Sequence, residues 1–203
     1  MTMNDQALIL VDIQKDFLPG GALAVPEGDQ IIPIANELME TIPLVVATQD
    51  WHPADHGSFA SNHPGTQIYQ TIKLHGLPQT LWPDHCVQGR EGAEFAAALN
   101  TDKITKVFQK GTNPEVDSYS GLYDNGHRKS TGMGEWLKAQ GVTRLTICGL
   151  ATDYCVKFTV LDALAEGFDI TLHLPACRGV NLTPGDVDAA IQEMENKGVK
   201  IVC

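Results

Sequence analysis

Cys148-Gly149-Leu150-Ala151-Thr152-Asp153-Tyr154-Cys155 decides how this chain folds. It reads as the end of a buried strand, a tight turn and the start of a helix. Upstream, residues 144–147 form a short apolar β-type run. Downstream, Val156, Thr159, Val160, Ala163 and Leu164 recur at helical spacing. Thr152 and Asp153 suit a helix N-terminus, so Cys155 falls in the first helical turn. Unpaired backbone N–H groups and the helix dipole there favour a thiolate over a thiol. The same N–H groups could hold an oxyanion. A small buried core cysteine is the competing reading of Cys155.

The same strand–turn–helix grammar recurs on both sides. Residues 7–11 are a near-continuous apolar run ending on Asp12, as expected of a strand covered on both faces. A Pro/Gly loop with Asp16, Phe17, Gly20 and Gly21 follows, then a helical face of Ile31, Ile34, Ala35, Leu38 and Met39. Residues 44–48 and 104–109 read as further strands, ending at Asp50 and Lys110. Between them, residues 51–89 are irregular and rich in Pro, Gly, His and aromatics, which in a compact domain signals function. Residues 91–99, 134–140, 152–166 and 186–197 read as helices, with Gly167 as a cap, and 169–174 and 199–202 as the last strands. Alternating strands and helices predict an α/β three-layer sandwich: a mostly parallel sheet with right-handed crossovers and helices on both faces. Ligands bind beyond the carboxyl ends of such strands, where Asp12, Asp50, Lys110 and the turn to Cys155 would share one edge.

A chain of 203 residues, 43% of them apolar, fits one domain, 1–203, with a sizeable core. Its 25 acidic and 14 basic residues give a formal net charge of −11, which argues against nucleic acid and anionic membranes as partners. Residues 1–6 carry no basic, apolar leader pattern, and no apolar run is long enough to span a bilayer. Five scattered cysteines, Cys86, Cys148, Cys155, Cys177 and Cys203, suggest reduced thiols and a cytoplasmic protein.

Two constellations carry chemistry. Asp12, Lys110 and Cys155 could act together: the carboxylate takes the thiol proton, and the cation steadies both anions. An ordinary ion pair at the sheet edge is the alternative for Asp12 and Lys110. Asp50, His52 and His85 suggest a divalent metal such as zinc, iron or manganese, since a carboxylate with imidazoles suits those ions. His56 is a weaker candidate ligand, His63 and His75 weaker still, and Cys86 a soft ligand below the histidines. Loop histidines making ordinary hydrogen bonds are the alternative. Phe17, Trp82 and Tyr119 could wall a pocket for a flat ring, or simply cover the core. No G-x-G-x-x-G is present, so a dinucleotide site is not expected.

Taken together, Leu10-Val11-Asp12-Ile13-Gln14-Lys15-Asp16-Phe17, Gly20-Gly21-Ala22-Leu23-Ala24-Val25-Pro26, Gln49-Asp50-Trp51-His52-Pro53, Trp82-Pro83-Asp84-His85-Cys86-Val87-Gln88, Lys110-Gly111, Asp117-Ser118-Tyr119-Ser120 and the opening stretch resemble the nicotinamidase/pyrazinamidase group of the isochorismatase-like (cysteine hydrolase) family. The resemblance runs over nearly the whole chain. It implies a Rossmann-like sheet of about six strands and hydrolysis of nicotinamide to nicotinate and ammonia in NAD salvage, with pyrazinamide a second substrate. It implies Asp12, Lys110 and Cys155 as a triad, and Asp50, His52 and His85 as ligands of one divalent metal. It further implies Phe17, Trp82, Leu150 and Tyr119 around the substrate, an oxyanion hole of the Ala151 and Cys155 N–H groups, and a cis Leu150–Ala151 bond. Thr112, Pro175 and the glycine-rich 132–134 stretch depart from the pattern without touching these residues. The metal's identity and the oligomeric state stay open, a homo-oligomer included. Rival readings are a sister hydrolase acting on another amide or carbamoyl group, and a non-catalytic cysteine redox or metal-binding protein.

Overall fold

A computed structural model of the chain describes residues 5–203; the expectation about the first few residues lies partly outside them. Six strands form one parallel sheet in the order β5-β2-β1-β6-β7-β8. They are β1 (Gln6–Val11), β2 (Val45–Asp50), β5 (Lys106–Lys110), β6 (Arg144–Leu150), β7 (Asp169–Arg178) and β8 (Lys200–Val202). β1 and β6 sit centrally, and Ala7 to Val11 are wholly buried, which is why β1 reads as an unbroken apolar run. The helices are α1 (Ile31–Thr41), α2 (Met133–Ala139), α3 (Lys157–Ala165) and α4 (Asp186–Asn196). α1 packs on β1, β6 and β7, and α3 packs on β7 and α4. Applied to this strand order, the right-handed crossover rule puts α1 on one face of the sheet and α2, α3 and α4 on the other, the three-layer arrangement expected.

Strand order reverses between β1, which continues to β2, and β6, which continues to β7. That topological switch point opens a crevice at the carboxyl ends of the central strands. β5, β2, β1 and β6 are four neighbours, so their C-terminal residues line up along it.

Several elements differ from their sequence reading. Residues 91–99 do not form a helix. Only Glu91–Ala93 makes a 3₁₀ turn, because the Ala93 and Glu94 carbonyls are taken by Gln14 Nε2, Gln49 Nε2 and Lys15 N–H. β7 runs past residue 174. Its pairing with β6 jumps from Ile147↔Leu172 to Gly149↔Cys177, so the Pro175 that seemed to end the strand sits in a bulge. The irregular 51–89 segment contains an antiparallel hairpin, β3 (Thr71–Leu74) and β4 (Leu77–Thr80). Its His75-Gly76 turn has φ of 45° and 93°, as a two-residue hairpin demands. Pro78 within the second strand obscured that signal. Finally, the 152–166 helix begins with a π turn, Thr152–Val156, before α3. Asp153 does not cap it; its carboxylate accepts the Val180 and Asn181 N–H groups at 2.9 and 2.7 Å.

Candidate active site

Each chemical group sits where a strand ends. Asp12 follows β1 with φ 48°, a left-handed conformation that a non-glycine residue holds only when its surroundings enforce it. Thr48 of β2 enforces it: its Oγ1 accepts the Asp12 N–H at 3.1 Å and donates to Asp12 Oδ1 at 2.6 Å. Asp50 and Lys110 end β2 and β5 and are register partners. Gly149 of β6 passes so close to β1 that a Cβ on it would lie 2.1 Å from the Val11 carbonyl oxygen, and its φ is 132°. Only glycine fits, and this close approach brings the turn bearing Cys155 over Asp12. Leu150–Ala151 is cis, as expected.

The Lys110 ammonium is the hub. Its Nζ lies 2.9 Å from Asp12 Oδ2, 2.8 Å from Asp50 Oδ1, 2.9 Å from the Ser118 carbonyl and 3.4 Å from Cys155 Sγ. Lys110 and both carboxylates are buried. Burial opposes the Lys110 charge, but Asp12 and Asp50 override it and hold the ammonium well above its ordinary pKa. Burial also pushes Asp12 up against the pull of Lys110. Asp50 goes the other way: burial opposes its charge, yet His52 and Lys110 hold it well below the usual carboxylate range. Burial pushes the Cys155 thiol well above its ordinary value, and Lys110 only partly offsets this. Burial thus favours the neutral thiol at Cys155 and raises the basicity of the neighbouring Asp12 carboxylate. The π turn closes through the Ala151 carbonyl, which accepts Tyr154 and Val156 N–H at 3.1 and 3.0 Å, while the Ala151 N–H has no protein acceptor among the described residues.

Asp50 also faces two imidazoles. Its Oδ2 is 2.9 Å from His52 Nε2 and 3.3 Å from His85 Nε2. Both rings are held from behind, His52 Nδ1 by the Gly111 carbonyl at 2.9 Å and His85 Nδ1 by the Pro83 carbonyl at 2.8 Å. That fixes Nδ1 as donor and aims each Nε2 at the same carboxylate oxygen, the arrangement in which histidines present a lone pair to a metal. The three residues fit a divalent cation on this count. His56 belongs to an adjoining set with His52 and Asp117. Its Nε2 is buried without a partner, and burial pulls its pKa to about 4. His63 instead bonds the Gly57 carbonyl, His75 lies in the hairpin turn, and the Cys86 thiol, pushed well up by burial, joins neither metal-capable group.

Above Cys155 opens a pocket of about 380 Å³ including its mouth, walled by Phe17, Leu23, Trp82, Tyr119, Tyr154 and Val180, with Asp50, His85, Asp117 and Ala151 also reaching it. Phe17, Trp82 and Tyr119 are thus brought together as expected. Leu150 is not among the lining residues; it is the last residue of β6, and its side chain is fully buried and packs beside Gly28. Sequence reasoning missed Thr48, Leu23, Tyr154, Val180 and the buried amides Gln14 and Gln79. Gln14 extends the β1–β2 ladder with its side chain, accepting the Asp50 N–H and donating to the Asp50 carbonyl, both at 2.8 Å. Its position two residues after Asp12 was the available signal. Gln79 Nε2 lies 3.0 Å from Asp117 Oδ2 and 3.2 Å from the Tyr119 hydroxyl, contacts that required knowing the hairpin.

Residues 6–203 match the Isochorismatase domain family. The chain is 51% identical to a nicotinamidase of Escherichia coli (strain K12), over 98% of this chain and 95% of that one. An Acinetobacter baumannii nicotinamidase/pyrazinamidase superposes with a TM-score of 0.96 at 42% identity, covering 100% of this chain and 97% of that one. A Pyrococcus horikoshii pyrazinamidase solved in complex with zinc superposes at 0.80 with 42% identity and 98% coverage of each chain. Sequence and fold agree from β1 to the last strand: the chain belongs to the isochorismatase family.

Proposed function

We propose that this protein is a nicotinamidase, an amidohydrolase that converts nicotinamide to nicotinate and ammonia in NAD salvage and also accepts pyrazinamide. The reading is supported above all by one observation: a cysteine at the floor of an aromatic-walled pocket, 3.4 Å from a buried ammonium that also contacts Asp12 and Asp50. Relatives named nicotinamidase match over nearly the full length of the chain.

In the proposed mechanism Asp12 accepts the Cys155 proton as sulfur attacks the carboxamide carbon. Its buried carboxyl, raised in pKa, suits a group that must take a proton and give it back. The oxyanion rests on the Ala151 and Cys155 N–H groups. Asp12 then protonates the leaving nitrogen, the C–N bond breaks, and ammonia departs from a Cys155 thioester. Water, deprotonated by Asp12, hydrolyses the thioester and restores the thiol. Lys110 holds Asp12 in place and offsets the developing negative charge on sulfur. Phe17, Trp82 and Tyr119 enclose the ring; burial keeps the Tyr119 phenol neutral. A divalent metal held by Asp50, His52 and His85 would supply Lewis acidity at the ring edge or toward water. Zinc, iron and manganese all suit that donor set.

No helix among the described residues is long and apolar enough to cross a membrane. With five free cysteines and an acidic surface, a cytoplasmic site of action without nucleic-acid or membrane partners is the reading we adopt; a homo-oligomer is compatible with it. Ammonia release from nicotinamide by the purified protein, with Cys155→Ala alongside, tests the function. Release by the wild type alone supports it. Equal release by both would refute the nucleophile, and none from either would turn the search to other amides.

A further inference from the structure

Asp16 has no part in the chemistry above, yet its carboxylate supports the metal-capable group from behind. Its Oδ2 accepts the Cys86 N–H at 2.7 Å, joining segments 70 residues apart in the chain. Cys86 is fully buried and holds φ 47°, a left-handed conformation that a non-glycine residue keeps only under constraint. The Asp16 carboxylate supplies that constraint. The fit around it is close: a Cβ on Gly92 would lie 2.1 Å from Asp16 Oδ2, so the turn at Glu91–Ala93 sets its glycine against the carboxylate. Cys86 in turn joins both histidines. It follows His85 directly, and its carbonyl accepts the His52 N–H at 3.0 Å. Gln88 N–H donates back to the His52 carbonyl at 2.8 Å, which makes a short parallel bridge of the two segments. The two rings thus stand 5.0 Å apart between centroids, each with Nε2 toward Asp50 Oδ2.

Ligands held at their binding spacing take up a cation without the cost of collecting loose side chains. Here that spacing depends on cross-links, because His52 lies two residues past the end of β2 and His85 outside any helix or regular strand. We propose that Asp16 is a positioning residue of the metal centre: by fixing the Cys86 amide it sets the spacing of His52 and His85, on which cation affinity depends. The inference rests on the reading of Asp50, His52 and His85 as metal ligands and deepens it. Asp16 belongs to neither metal-capable group, so it acts through the Cys86 backbone and not as a ligand.

The test reads the Zn²⁺ affinity of chelator-stripped protein, by competition with a chromophoric chelator, and the urea stability of the same samples. Asp16→Ala and Asp16→Ser both remove the acceptor, so one poorly folding variant does not decide the matter. The expected result is a loss of about 10–100-fold in Zn²⁺ affinity in both. Asp16→Asn, whose amide oxygen can still accept the Cys86 N–H, should recover most of it. Asp153→Ala serves as the comparison: it deletes another carboxylate that accepts two backbone N–H groups, at 2.9 and 2.7 Å, but on a loop that holds no ligand. It should lose stability and keep the wild-type Zn²⁺ affinity. Wild-type affinity in Asp16→Ala or Asp16→Ser would overturn the proposal. So would an equal loss in Asp16→Asn, which would assign the effect to charge, or in Asp153→Ala, which would assign it to general loosening. Wild-type affinity in His85→Ala is a separate outcome that would sink the ligand reading itself, and the proposal with it.

Discussion

Replacing Lys110 by methionine isolates what the buried ammonium does. Methionine keeps most of the volume of the lysine stem and removes one charge that meets Asp12 at 2.9 Å, Asp50 at 2.8 Å and Cys155 Sγ at 3.4 Å. Breaking a buried pair by removing one partner costs about 3–5 kcal/mol, because the remaining charge stays buried. Here two carboxylates are left facing each other, and Asp12, already pushed up by burial, is the one that would take a proton. The loss should therefore be larger at pH 8, where that proton is harder to hold, than at pH 5. Proton uptake also removes the base, so kcat/KM should fall by at least ~10³, a loss of about 4 kcal/mol in transition-state stabilisation. Urea unfolding at the two pH values and steady-state ammonia release measure both quantities. A variant with wild-type stability, a stability loss independent of pH, or kcat/KM within tenfold of wild type would refute the hub role assigned to Lys110.

Other consequences follow from the same geometry. Gly111→Ala would place a Cβ 2.4 Å from His52 Cε1 at a φ of 65°; metal titration should show weakened affinity, and thermal unfolding a loss of about 1–3 kcal/mol. Thr48→Val removes the hydroxyl that both donates to Asp12 and accepts from it. It should cost about 1–3 kcal/mol in stability, and the pH–rate profile should shift as Asp12 becomes harder to ionise. His56 sits buried and neutral, with its pKa lowered to about 4. The unfolded chain protonates it below about pH 6.5, the folded chain only near 4. Metal-free protein should thus lose stability as pH falls through that window, by up to about 3 kcal/mol. His56→Gln should flatten the curve there, and an unaltered slope would remove His56 as its source.

How far the sequence reveals this arrangement depends on the range of the interaction. The sheet was legible because β1, β2 and β6 lie inside it and are buried on both faces, and burial writes itself as apolar runs; β5, an edge strand with only Phe108 and Lys110 buried, carries a weaker signal. The strand-end rule then collected Asp12, Asp50, Lys110 and Cys155 without knowledge of strand order. The roles of these residues and of His85 came mostly through the resemblance, since single histidines in loops carry little signal of their own. What stayed illegible is set by side chains reaching across the chain. The 91–99 segment has helical residues, but its carbonyls are committed to Gln14, Gln49 and Lys15. Asp153 looks like a cap and instead holds the loop at Val180 and Asn181. Leu150 sits at the active-site turn by sequence, but its side chain is fully buried in the core and does not reach the pocket. At Cys155 two effects oppose each other: the helical turn and Lys110 favour the thiolate, while burial pushes the thiol pKa up, a balance that sequence position alone does not show.

The central claim is that Cys155 carries the acyl group. Rapid acid quench of the wild-type enzyme turning over nicotinamide, followed by mass analysis of its peptides, tests it most directly. The account predicts a nicotinoyl thioester on the peptide containing Cys155, absent from Cys155→Ala and accumulating more slowly in Asp12→Asn. An enzyme that releases ammonia at full rate with no acyl group on Cys155, or with turnover preserved in Cys155→Ala, would contradict it.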